Sequence, residues 1–115
     1  MTLRAEEVLL HPDAAATLER LDSDPRPQSR SIARRIRVVG ATLLSDCLHG
    51  EVVRRSAIPK AIVARCGVEN LFVEDLTDYW RLLYSVLKRG EARGVLIIAI
   101  VDHREYSRWF PGRGR

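Results

Sequence analysis

The chain has 115 residues, 46% hydrophobic and 30% charged, with a formal net charge of +4. That length fits one domain over residues 1–115 with a genuine core, and the positive balance suits a polyanionic or acidic partner and disfavours a cationic one. Cys47 and Cys66 make neither a disulfide framework nor a zinc-ligand spacing, and the longest apolar run, Val95 to Val101, is far too short to span a bilayer; the expectation is a cytoplasmic protein with no membrane contact, no metal and no cofactor.

Glu6 and Glu7 stand where a signal peptide would begin basic, and Val8-Leu9-Leu10 predicts a short first strand. Pro12 suits a first helical position and Asp13 the positive N-terminal end, so Ala14, Ala15, Ala16, Leu18 and Leu21 predict a short helix. Asp22-Ser23-Asp24-Pro25-Arg26-Pro27 breaks it, because its two prolines cannot continue a helix. From about Ser29, Ile32, Ile36, Val39, Leu43 and Cys47 recur at spacings of four and three, which predicts an amphipathic helix ending near Gly50. Arg34, Arg35 and Arg37 fall mostly off that stripe and read as a solvated face, while His11 and His49 read as surface or cap residues. Pro59 argues against a central strand, so Val52 to Val63 is expected as extended or edge structure.

Leu71 to Leu76 predicts a strand, Thr77-Asp78 a tight turn, and Trp80 to Leu87 the next strand; Lys88 to Gly94 then closes a hairpin with Val95 to Val101. By alternation Trp80, Leu82, Tyr84 and Val86 share one face, and Arg81 points to the other with Leu83, Ser85 and Leu87. The first hairpin pairs Arg81 approximately with Glu74, and the second sets it opposite Val101 to His103. Tyr106, Trp109 and Phe110 carry the spacing of a short terminal helix or turn from Arg104 to Phe110, and Pro111-Gly112-Arg113-Gly114-Arg115 is expected to be a loose tail. The order predicts an α+β domain, β-α-α-β-β-β, with two N-terminal helices packed on one face of a mainly antiparallel sheet and a short C-terminal helix or turn.

The second hairpin thus brings a permanent cation, Arg81, together with Asp102-His103-Arg104-Glu105-Tyr106. Such groups can bind a phosphodiester and move protons without a metal. Arginine grips two phosphate oxygens at once, and histidine titrates near neutrality, so His103 can act as base or acid. Tyr106 is a poor base but can donate a hydrogen bond or stack on a nucleobase. Glu74, placed beside Arg81 by the first hairpin, is the second candidate base.

These residues carry a resemblance. The element order, Gly50-Glu51-Val52-Val53-Arg54 after the second helix, the strand from Asp75-Leu76 to Arg81-Leu82-Leu83-Tyr84, and the closing Asp102-His103-Arg104-Glu105-Tyr106 resemble the RelE/ParE toxin superfamily of type II toxin-antitoxin systems. The resemblance implies a RelE-like fold. It also implies a metal-independent endoribonuclease that cuts mRNA in the ribosomal A site by 2′-hydroxyl attack and so inhibits translation. Its partner would be a cognate antitoxin, held in a hetero-oligomer. Arg81 matches the strand arginine near the scissile phosphate, His103 and Tyr106 the polar residues closing the last strand, and Arg104 the basic residue beside them. Where some members carry active-site lysines, this chain offers Arg54, Arg55, Lys60 and Arg65 as RNA-binding candidates; arginine is a poor base, which moves the proton-transfer role to His103 or Glu74. The ParE branch, which inhibits DNA gyrase without catalysis, and an inactive binding module are the alternatives.

Overall fold

Alternating apolar residues give the strands two oily faces, and each face is covered by helices. The computed structural model describes residues 2–112. In chain order the elements are β1 (Glu7–Leu10), α1 (Pro12–Ser23), α2 (Pro27–Ser45), β2 (Glu51–Val52), α3 (Lys60–Cys66), β3 (Phe72–Asp75), β4 (Arg81–Arg89), β5 (Ala92–Val101) and α4 (His103–Trp109). The strands form one sheet in the order β1-β5-β4-β3-β2, antiparallel except that β1 runs parallel to β5. The domain is therefore α+β, with its two N-terminal helices on a mainly antiparallel sheet, as the pattern predicts.

Helices α1 and α2 bury Ala14, Leu21, Ile32, Ile36, Val39 and Leu43 against Phe72, Leu82, Tyr84, Val95, Ile97 and Ile100. The periodic stripe on α2 is thus the stripe that meets the sheet. The helix stops earlier than expected, at Ser45, and Asp46 turns the chain: its Oδ1 accepts from the Leu3 and Leu48 backbone N–H groups. Cys47 is buried beyond the helix end and Cys66 is half-buried; both are free, and burial pushes both thiols up.

The opposite face is covered too, which corrects the expectation for Val52 to Val63. Only Glu51–Val52 is strand, and a 3₁₀ turn at Arg55–Ala57 leads into α3. Pro59 precedes that helix, where its missing N–H costs nothing, and Gly67 ends it at φ +63. Val53, Ile58 and Ile62 from this segment join Tyr106 and Phe110 of the C-terminal region against Leu83, Ile98, Ala99 and Val101.

Register decides which side chains share a face. Between β4 and β5 a bulge falls where Leu83 pairs with Ala99 but Tyr84 with Ile97, so Ile98 is the extra residue. Ile97 and Ile100 consequently face α1 and α2, while Ile98 and Ala99 face the other side. The turn closing this hairpin is shorter than Lys88 to Gly94: Arg89 pairs with Ala92 around Gly90, whose φ is +59. Beyond β3, Asn70 takes over the pairing, accepting from Val86 N–H and donating to Val86 C=O. Of the expected loose tail, Arg113 to Arg115 lie outside the described residues, and among the described residues no helix is long and apolar enough to cross a membrane.

Candidate active site

The β3–β4 hairpin is one residue longer than predicted. Asp75, not Glu74, pairs with Arg81, and Glu74 pairs with Leu82. Because strand side chains alternate, that single step moves Glu74 to the opposite face of the sheet from Arg81. The expectation of Glu74 as a base beside Arg81 is corrected accordingly. Glu74 lies on the face of the sheet that α1 and α2 cover, 8% exposed, with its Oε2 2.6 Å from Nδ1 of the half-exposed His49.

Arg81 opens β4 at the end of the sheet, opposite Val101 as expected. Its side chain is only 12% exposed. Nε forms an ion pair with Asp75 Oδ1 at 2.9 Å, and Nη1 donates to the Trp80 carbonyl at 3.3 Å. The guanidinium carbon stands 5.1 Å from the centroid of the Tyr106 ring, close enough for a cation–π contact. Among the described residues one of its five N–H groups is committed to a hydrogen bond and Nε faces a carboxylate, and the end of the fork bearing both Nη atoms keeps donors for a ligand oxygen.

Tyr106 reaches this position because α4 is well started. Asp102 Oδ1 accepts from Glu105 N–H at 2.9 Å, an N-cap that sets the helix off from the end of β5. The Tyr106 ring is buried, packed 4.9 Å from Phe110. It cannot be the surface on which a base stacks; it is the floor beneath the Arg81 guanidinium. His103, first residue of α4, is exposed, and its ring meets Tyr79 at 6.0 Å and 62°.

The basic candidates divide. Arg54, Arg55 and Lys60 are exposed on the segment that packs against the Arg81 side of the sheet, and Arg104 is exposed on α4 next to His103. Arg65 is exposed but tied to Asp13 of α1 by an ion pair. That pair borders an open cleft of about 360 Å³ lined by Thr17, Arg20, Val101, Glu105 and Trp109.

The arrangement offers a fixed cation, an exposed imidazole and a nearby exposed phenol, that of Tyr79, at one end of the sheet. Sequence reasoning passed over Tyr79 here and, on the other face of the sheet, the partner of Glu74. Tyr79 was not separable from the strand beside it, although an aromatic residue adjoining a predicted turn is a signal for exposure. His49 pairs with a residue 25 positions away, a distance at which no local pattern operates. No family model, curated protein or solved structure matches this chain.

Proposed function

We propose that this chain is a toxin of the RelE type: an endoribonuclease that cleaves mRNA, on the ribosome, by attack of the 2′-hydroxyl on the adjacent phosphate, and that a cognate antitoxin silences. The observation that carries the reading is the setting of Arg81, held by Asp75, the Trp80 carbonyl and the Tyr106 ring with part of its fork uncommitted. A phosphorane carries extra negative charge on oxygens that a planar, permanently charged fork fits. His103 is the group that moves the proton, and Tyr106 acts through Arg81 without touching RNA. Arg54, Arg55, Lys60 and Arg104 supply further positive charge for the RNA backbone.

The test is expression of the chain in cells, followed by primer extension on mRNA and a parallel assay for DNA breaks. Cut mRNA with arrested translation is expected, and Arg81→Ala should lower cleavage by about 100-fold or more with the circular-dichroism spectrum unchanged. DNA damage with intact mRNA would overturn the reading in favour of a gyrase inhibitor.

A further inference from the structure

Tyr79 is the most exposed large apolar side chain among the described residues, at 73%. Tyr84 and Tyr106, the other two tyrosines, are buried. It also sits in a backbone conformation that its residue type avoids. Asp78 and Tyr79 have φ of +58 and +63, and Trp80 N–H returns to the Thr77 carbonyl at 3.2 Å. Two successive left-handed residues inside a four-residue turn make the hairpin connection that favours Asn-Gly or Asp-Gly. Aspartate fits the first of these positions. A bulky aromatic at the second opposes the intrinsic preference, where glycine would be free of strain. Burial cannot explain the residue, since the ring is in water.

What the turn achieves is placement. Tyr79 is two residues from Arg81, and the Trp80 carbonyl between them accepts from the Arg81 guanidinium. The phenol meets His103 at 62°, so the imidazole approaches one part of the ring and leaves most of it open. A flat exposed π-surface is thereby fixed beside the candidate proton-transfer group, two residues along the chain from the candidate phosphate-binding cation. We propose that Tyr79 is a nucleobase platform: one unstacked base of single-stranded RNA, next to the phosphate held by Arg81, lies on its ring. This inference rests on the ribonuclease reading and adds a binding subsite to it. RNA is favoured over a protein partner because the ring meets a histidine and Arg81 follows two residues along the chain, whereas an apolar rim would suit a protein contact better.

The experiment uses the full chain and a single-stranded RNA carrying 2′-O-methyl groups, which it cannot cleave, with affinity read by fluorescence anisotropy. Tyr79→Gly should bind on the order of 10-fold more weakly, while its melting temperature holds or rises because the left-handed strain is gone. Tyr79→Trp should bind at least as well as the native chain. An abasic nucleotide at the stacked position should weaken native binding by a similar factor and leave Tyr79→Gly unaffected. Equal affinity of native and Tyr79→Gly chains for RNA would overturn the platform, assign the ring to a protein contact, and leave the ribonuclease reading standing. A native chain that neither binds this RNA nor cuts mRNA on ribosomes would overturn both.

Discussion

Glu74 and His49 meet at 2.6 Å on the side of the sheet opposite Arg81. A buried carboxylate without a donor would be costly, and the imidazole Nδ1–H supplies one while the ring reaches solvent. The pair thereby ties the loop after α2 to β3. Its position separates it from the cluster around Arg81.

Glu74→Gln is expected to cost about 1–2 kcal/mol of stability, because the amide retains the shape but loses the charge-assisted bond. Urea denaturation measures that cost. RNA cleavage by the folded protein should change little beside the effect of Arg81→Ala; a comparable loss with the fold intact would return Glu74 to the chemistry.

Gly50 lies on the Tyr84 ring in the same region. Tyr84 accepts from Gly50 N–H and donates to the Cys47 carbonyl, both at 2.9 Å, and burial pushes the phenol well above its ordinary value. A Cβ on Gly50 would stand 2.9 Å from Tyr84 Cε1, from its hydroxyl and from the Val73 carbonyl. Gly50→Ala should therefore cost about 1–3 kcal/mol. Tyr84→Phe should cost a similar amount by leaving two backbone groups unpaired. Thermal unfolding of each variant checks this; neutral results would mean the loop gives way easily.

The two faces of the sheet were legible in the alternation from Trp80 to Val86 because every even position there is apolar and Arg81 marks the odd set. The bulge was not legible, since Ile97, Ile98, Ala99 and Ile100 are all apolar and alternation carries no information among them. Helix α3 was hidden by its length: seven residues burying mainly Ile62 show little period, although Pro59 before it and Gly67 after it are boundary signals. The site was half legible for one reason. Arg81 opposite Val101 depends on a long hairpin whose pairing tolerates a bulge, whereas Glu74 beside Arg81 depended on the length of one tight turn. A left-handed Tyr79 is not what a propensity argument would place there.

Acid should loosen the connection between α1 and α2. Asp24 accepts from Arg26 and Ser29, and Asp22 accepts from Arg37; these bonds hold both carboxyls below their ordinary value of 3.8. A carboxyl depressed in the folded state binds its proton more readily when unfolded, so its stabilisation is complete above about pH 4 and is lost as pH falls below that. The arginine of each pair is exposed, so the effect is small. Denaturation midpoints at pH 5 and pH 2.5 should differ less in Asp24→Asn than in the native chain. An equal difference would place the acid sensitivity elsewhere.

Arg81→Lys separates charge from geometry. Lysine keeps the positive charge but has no planar fork, so it cannot hold Asp75 and the Trp80 carbonyl while presenting two parallel donors to a phosphate. Long-range attraction for RNA should survive, and the salt dependence of binding should stay close to native, because the count of neutralised phosphates is unchanged. Cleavage should nevertheless fall by about 100-fold, since stabilisation of the phosphorane depends on donors already aimed at its oxygens. Single-turnover cleavage and a salt titration of binding, made on the same preparation, give both quantities. If the lysine variant cleaves at the native rate, the site needs only a charge, and the hold of Asp75 and Tyr106 on the guanidinium serves stability alone.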